Sequence, residues 1–125
     1  ADRWAGFDDG FYAAVRLLEI LQNYASADDF FNQLPRRYST PELIVPVPEE
    51  RKFTLIQQIV EQASHTFSHA KLVTLDGIRV EFDYGWGLVR ASNTTPALVL
   101  RFEADSQPNL SLIQALFDQL ITKVH

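Results

Sequence analysis

The sequence contains no cysteine and no methionine, and its apolar residues are interleaved with polar ones. The absence of cysteine excludes disulfide bonds, thiolate catalysis and cysteine-ligated zinc, and it is compatible with a reducing cytoplasm. No stretch approaches the roughly 18 consecutive apolar residues that a membrane-spanning helix requires. The opening residues, ADRWAGFDDG, include neither an initiating methionine nor the pattern of a signal peptide. We therefore expect a soluble protein that is part of a longer chain.

Basic residues are too scattered to predict a nucleic-acid interface. The net charge is −5, and Lys and Arg adjoin only in pairs such as Arg36-Arg37 and Arg51-Lys52. An anionic ligand would therefore need a local binding site. The length of 125 residues, with 46% hydrophobic residues, predicts one compact domain with a short appendage.

The first part of the chain predicts two helical segments. Apolar residues recur at helical spacing between Asp8 and Asn23. A short second segment begins at Ser26 and should end before Pro35, because the residue before a proline disfavours the α conformation. Residues 35–41 are predicted to be a linker.

The next part predicts a strand followed by a helix. Leu43, Val45 and Val47 alternate with other residues as in a strand, and the prolines in this stretch confine it to a sheet edge or a strand end. Pro48 is typical of the first turn of a helix, and we expect this helix to end near Ser64. The predicted core-facing stripe of that helix consists of Phe53, Ile56, Val60 and Ala63.

Four strands and a final helix are predicted in the remainder. A strand at residues 72–75 and a strand from Ile78 to Phe82 flank Asp76-Gly77, the pattern of a two-residue hairpin. Residues 85–87, Gly-Trp-Gly, interrupt the alternation of apolar and polar residues, which predicts that no strand includes them. Two further strands are predicted at residues 88–92 and 97–104. Pro108 opens a helix whose predicted stripe is Ile113, Leu116, Phe117, Leu120 and Val124.

This order of elements predicts an α+β fold. Strands that follow one another through short loops favour antiparallel pairing, and the two helices then pack on one face of the sheet. The helices at the start of the chain form an N-terminal appendage to this unit.

Residues 90–96, RASNTTP, concentrate hydrogen-bond donors. They include one guanidinium, three hydroxyls and one side-chain amide, with no acidic residue among them. Phosphate oxygens accept hydrogen bonds from such groups, and a turn that exposes successive backbone N–H groups adds further donors. From composition alone, a polar hairpin turn beside a surface arginine explains the same residues.

Other residues invite a functional and a structural interpretation. His65 and His69 have the spacing of helical metal ligands, but solvated loop histidines are the better explanation. The acid pairs at 8–9 and 28–29 stand at helix starts, where capping explains them better than catalysis. Trp86 could stack on a sugar, but a buried anchor of the adjacent hairpin is the better explanation. Arg101 alternates with apolar neighbours and is assigned to the polar face of its strand, outside the candidate site.

The run from Asp76 to Asp105, DGIRVEFDYGWGLVRASNTTPALVLRFEAD, closely resembles the phosphate-binding segment of α-D-phosphohexomutases of the phosphomannomutase/phosphoglucomutase type. DDGFYAAVRLLEIL, at residues 8–21, looks like the helix that ends the third domain of that family. STPELIVPVPEERKF, at residues 39–53, looks like the hinge and the opening of the fourth domain. The resemblance spans nearly the whole chain and is far more specific than a short motif.

The resemblance implies a domain division and a set of site residues. Residues 1–38 would be the tail of the third domain plus a linker, and residues 39–125 the fourth domain, with a fold like that of the TATA-box-binding protein. The hinge would lie at Ser39, Thr40 and Pro41. Matching positions place the clamp for the substrate phosphate at Arg90, Ser92, Asn93 and Thr94, with Thr95 adjacent.

The resemblance also implies an activity. Such enzymes interconvert hexose 1-phosphate and hexose 6-phosphate, of glucose or mannose, through a bisphosphorylated sugar. They use a phosphoserine and a magnesium ion held in other domains, so this chain alone would be catalytically inert, with no catalytic or metal-binding residue of its own. Its partners would be the phosphosugar and the upstream domains in the cytoplasm, with neither nucleic acid nor membrane. The alternative is a noncatalytic module that binds phosphorylated ligands or a protein through its sheet.

Overall fold

The computed structural model describes residues 6–124. The chain forms two compact units, one ending at Pro35 and the other beginning at Arg36. The domain division expected from the resemblance falls close to this boundary, and its outermost residues, 1–5 and 125, lie outside the described part of the chain.

The first unit contains two helices, α1 (Gly10–Leu21) and α2 (Ala27–Phe31). The carboxylate of Asp9 caps α1 by accepting a hydrogen bond from the backbone N–H of Tyr12, and the hydroxyl of Ser26 caps α2 in the same way. Asp28 and Asp29 lie in the first turn of α2, where their charge favours the helix dipole. Both predicted helices are confirmed, and the acidic pairs stand at helix starts as predicted, although only Asp9 acts as a cap.

The second unit contains six strands and two helices. The strands are β1 (Tyr38–Ser39), β2 (Leu43–Pro46), β3 (Lys71–Val73), β4 (Gly77–Phe82), β5 (Gly85–Ala91) and β6 (Ala97–Ala104). The helices are α3 (Lys52–Thr66), between β2 and β3, and α4 (Gln107–Thr122), after β6. No described helix has the length and apolar character needed to cross a membrane.

All six strands join one antiparallel sheet. The order is β1-β6-β5-β4-β3, and β2 also pairs with β6. β1 pairs with the end of β6, at Glu103 and Ala104, while β2 pairs with its first half, from Ala97 to Leu100. The two short strands therefore share one edge of the sheet, as the prolines predicted for β2.

Both helices of this unit pack on the same face of the sheet. The core joins Leu55, Ile59 and Ala63 of α3 and Ile113, Phe117 and Leu120 of α4 to alternate residues of the strands, among them Ile78, Val80, Val89, Leu98, Leu100 and Phe102. The predicted α+β architecture is confirmed. Residues of the opposite parity, such as Arg79, Trp86, Arg90 and Arg101, lie on the other face, which we call the open face.

The predicted stripe of α3 is confirmed at Ala63 and is wrong at Phe53. The residues that α3 buries are Lys52, Leu55, Ile59 and Ala63, whereas Phe53 is 62% exposed. The helix also begins later than predicted, because Pro48 to Glu50 form a turn closed by a hydrogen bond from the N–H of Arg51 to the carbonyl of Pro48. Ile56 and Val60 are half-buried at the side of the stripe.

The hairpins also differ from the prediction. The pair of Val73 and Arg79 is the last one between β3 and β4, so residues 74–78 are unpaired in that hairpin. Gly77 is nevertheless the first residue of β4 instead of a turn residue, because it pairs with Arg90 of β5. The two-residue turn lies one connection later, at Asp83 and Tyr84, because Phe82 pairs with Gly85.

The segment predicted as a break, residues 85–87, belongs to β5. Gly87 faces the core, and a Cβ on it would lie 2.4 Å from the ring of Phe117. The glycine therefore makes room for α4 to pack on the sheet. The predicted linker was also too long, since Tyr38 and Ser39 form β1.

Candidate functional site

The donor-rich segment forms the loop between β5 and β6, and both its ends are fixed by hydrogen bonds. The N–H of Ser92 donates to the carbonyl of Ala97 at 2.9 Å, and the N–H of Ala97 donates to the carbonyl of Thr95 at 2.9 Å. The carbonyl of Pro96 accepts from the N–H of Val47, after β2, at 3.0 Å. The loop is thus held by the two strands that flank it and by the edge of the sheet.

Ser92 organises the interior of this loop. It is 6% exposed, and its Oγ accepts hydrogen bonds from the N–H of Thr94 at 3.4 Å, from the N–H of Thr95 at 3.2 Å and from the hydroxyl of Thr95 at 2.8 Å. These bonds draw the chain into a tight bend. Asn93, Thr94 and Thr95 are exposed on the outside of the bend, where their side chains are accessible to a ligand.

Arg90 lies on the open face at the end of β5, opposite Gly77 on one side and Val99 on the other. A Cβ on Gly77 would lie 2.3 Å from the carbonyl oxygen of Val89 and 3.0 Å from the Cβ of Arg90. Gly77 also has a φ of +139°, which side-chain-bearing residues rarely adopt. The two strands can approach this closely beside Arg90 because residue 77 has no side chain.

A cleft of about 350 Å³ brings Arg90 and Asn93 together. Its apolar wall includes Phe53 and Leu75, and the carboxylate-bearing Asp76 also lines it. The arrangement offers a half-buried guanidinium and an adjacent amide to a ligand that enters from solvent. Since a guanidinium can donate two parallel hydrogen bonds, the cleft suits an oxyanion with several acceptor oxygens.

The expected hinge residues are attached to the sheet. Ser39 pairs with Glu103, and the N–H of Thr40 donates to the carbonyl of Phe102 at 3.0 Å. The N–H of Phe102 donates in return to the Thr40 hydroxyl at 3.2 Å. Pro41 follows directly, between β1 and β2.

Lys52 is a charged residue near the loop that the sequence pattern did not single out. It is 3% exposed, and its ammonium donates to the carbonyl of Thr95 at 3.4 Å. The ammonium also forms an ion pair with Glu49 at 2.7 Å. Lys52 begins the column of residues that α3 buries, but lysine is seldom fully buried, so the sequence alone gives no reason to place it in the core.

The remaining candidates lie away from this loop. Arg101 is exposed on the open face, as its place in the strand predicted. Trp86 is half-buried, and the guanidinium of Arg79 lies 4.0 Å from the centroid of its ring, so the expectation of a buried anchor was wrong. His65 and His69 are exposed, with His65 in α3 instead of a loop. Among residues 6–124, no three His, Asp or Glu side chains gather as metal ligands.

Comparison with known proteins identifies the family. Residues 42–120 match the model of "Phosphoglucomutase/phosphomannomutase, C-terminal domain". The chain belongs to the phosphoglucomutase/phosphomannomutase family. The resemblance noted in the sequence is therefore confirmed, and the unit that carries the loop is the C-terminal domain of this family.

Individual relatives show the same similarity. A phosphomannomutase/phosphoglucomutase of Pseudomonas syringae is 52% identical over 98% of this chain and 26% of its own length. A phosphoglucomutase of Neisseria meningitidis is 47% identical over 96% of this chain and 26% of its own length. This chain thus spans about a quarter of the length of the curated relatives it matches.

A solved structure of the family has the same fold. The crystal structure of a phosphoglucomutase/phosphomannomutase family protein from Burkholderia thailandensis matches with a TM-score of 0.80 and 45% identity. The match covers 98% of this chain and 25% of that protein.

Proposed function

We propose that this chain binds the phosphate of a phosphosugar through Arg90, Ser92, Asn93, Thr94 and Thr95. The observation that supports this best is the cleft shared by Arg90 and Asn93 beside a loop that Ser92 holds in a tight bend. Arg90 and the side chains of Asn93 and Thr94 supply direct donors, while the buried Ser92 shapes the loop. Thr95 contributes through the shape of the bend, since its N–H and its hydroxyl both donate to Ser92.

The proposed enzyme is a phosphohexomutase that interconverts the 1-phosphate and 6-phosphate of glucose or mannose through a bisphosphorylated intermediate. The sugar has to reverse its orientation between the two half-reactions, so this clamp holds either phosphate while the other one reacts. A clamp that contacts mainly the phosphate satisfies both orientations, because the phosphate is what they share. Energy from this remote contact positions the reacting oxygen and promotes closure of the active site.

The other parts of the reaction belong to domains outside this chain. A phosphoserine and a magnesium ion in those domains would carry out the phosphoryl transfer, and the described residues here offer no group of ligands for that ion. The partners are the phosphosugar and those domains, in the cytoplasm, with neither nucleic acid nor membrane involved. The chain alone would be inactive.

We further propose that residues 1–38 end the third domain and residues 39–125 form the fourth. The resemblance puts the hinge for closure at Ser39, Thr40 and Pro41. Because Ser39 and Thr40 are hydrogen-bonded to β6, we place the rotating bonds just before β1, at residues 35–37.

An amide chemical-shift titration of the 125-residue chain tests the binding proposal. Glucose 1-phosphate and glucose 6-phosphate should each shift the amides of residues 90–95, with dissociation constants on the order of 1 mM, since only one wall of the substrate cleft is present. Glucose without phosphate is the control and should leave these amides unshifted. Absence of shifts with both phosphosugars, or equal shifts with glucose, would contradict the proposal.

A further inference from the structure

Lys52 occupies a position that folding alone does not favour. Its side chain is 4% exposed, and removing an ammonium from water remains costly even when it is paired and hydrogen-bonded, as Lys52 is with Glu49 and Thr95, because these contacts replace the lost hydration only in part. It is also the first residue of α3, where the helix dipole disfavours a cation. Arg51, at the N-cap position, makes no side-chain capping hydrogen bond. A neutral residue would avoid both costs.

One contact of the Lys52 ammonium is with the loop, and its other neighbours are the Glu49 carboxylate and the ring of Phe53, whose centroid lies 5.2 Å away. The ammonium lies 3.4 Å from the carbonyl oxygen of Thr95, and its carboxylate partner, Glu49, is itself 62% exposed. Thr95 donates both its N–H and its hydroxyl to Ser92. The carbonyl that Lys52 holds therefore belongs to the residue that closes the bend.

We propose that Lys52 is a positioning residue for the phosphate loop and the source of a buried positive charge behind it. This inference rests on the proposed phosphate-binding function. By holding the carbonyl of Thr95, the ammonium fixes the bend from the inside. Since charges inside a protein are screened less than charges in solvent, it also attracts a dianion more strongly than an exposed lysine would. A dianionic phosphate ester should gain more from this charge than a monoanionic sulfate ester of similar shape.

The test compares two ligands at pH 8, glucose 6-phosphate and glucose 6-sulfate, by amide titration of the full chain. In Lys52→Met we expect the dissociation constant for the phosphate to rise about tenfold and that for the sulfate about threefold, in line with the difference in charge. Lys52→Arg, which keeps the charge and a donor, should stay within about threefold of the parent chain for both ligands. Arg51→Met, which removes an exposed charge from the adjacent residue, is the matched control and should change binding by less than about twofold.

A second variant keeps the test decisive if Lys52→Met does not fold. Glu49→Gln removes the carboxylate that partly neutralises Lys52, and it should tighten phosphate binding by about twofold to threefold, with a smaller effect on sulfate. Weaker phosphate binding in Glu49→Gln would overturn the inference. So would an equal loss of phosphate and sulfate binding in Lys52→Met, because a role in loop shape alone weakens both ligands alike.

The outcomes also separate this inference from the function on which it rests. If the parent chain shows no phosphate-dependent shifts, the proposed function itself fails. If the parent chain binds and Arg90→Ala weakens binding while Lys52→Met matches Arg51→Met, only the role of Lys52 fails.

Discussion

Gly77 lies directly opposite Arg90 in the antiparallel pair of β4 and β5, and the backbones meet so closely there that no side chain fits at residue 77. The position of the guanidinium is therefore linked to a glycine thirteen residues earlier in the chain.

Gly77→Ala should destabilise the domain by roughly 2–4 kcal/mol, since it combines a strained φ with a clash against the carbonyl of Val89. Urea unfolding monitored by circular dichroism measures this loss. Gly10→Ala is the control, because a Cβ at the start of α1 meets nothing within 4 Å, and its stability should be unchanged or slightly raised. If Gly77→Ala and Gly10→Ala had equal free energies of unfolding, the prediction would be wrong, because β4 and β5 could then make room for a side chain at residue 77 without loss of stability.

Ser92→Ala should loosen the loop and lower the free energy of unfolding by roughly 1–3 kcal/mol, because two backbone N–H groups and one hydroxyl lose their acceptor. Amide hydrogen exchange at Thr94 and Thr95 should accelerate. Ser64→Ala, which removes an exposed hydroxyl that donates to the carbonyl of Val60, should change stability by less than about 0.5 kcal/mol. Unaltered exchange in the loop of Ser92→Ala would disprove the organising role of this hydroxyl.

Arg90→Ala should weaken phosphosugar binding by roughly 1.5–3 kcal/mol, the scale of a charged hydrogen bond. Arg101→Ala is the matched control, since Arg101 lies on the same open face but on β6, opposite Leu88. Titration with glucose 1-phosphate should separate the two variants by at least about tenfold in dissociation constant. Indistinguishable affinities would remove Arg90 from the clamp.

Lys71→Met should raise the pKa of the Glu81 carboxyl. Hydrogen bonds from Lys71 and then from Arg79 hold that pKa below its usual value, and the Lys71 ammonium lies 2.7 Å from the carboxylate. A lowered pKa means that the pair stabilises the folded state above the unfolded pKa of about 4.3, and that this contribution is lost as the pH falls through the folded pKa. Carbon-detected NMR titration of Glu81 in both chains measures the change, and an unshifted midpoint would rule out the interaction.

The sequence predicted those parts of the fold that local chemistry determines. The bounds of β6 followed from alternation, and Pro108 predicted the start of α4 to within one residue of its observed first residue, Gln107. The α+β architecture followed from the order of the elements. The polar loop predicted at residues 93–96 was located to within one residue of the observed loop, 92–96, because its flanking strands are regular.

Tertiary packing decided the features that the sequence did not predict. α3 carries two adjacent apolar columns, and only contact with the sheet selects the one that begins at Lys52 and includes Leu55. A two-residue turn was predicted at Asp76 and Gly77, but the register of β3 against β4 leaves a longer loop there. The two-residue turn lies instead between β4 and β5. For the same reason, the link between Lys52 and Thr95, which are 43 residues apart, has no local signature.

The division of one sheet edge between β1 and β2 has a consequence for how the chain behaves at high concentration. Each piece is short, β2 carries Pro46, and the opposite edge is formed by β3, which has only three residues and begins with the exposed Lys71. Edge strands that are short, charged or interrupted by proline pair poorly with strands of another molecule. The domain is thereby protected from assembling into extended aggregates through its backbone.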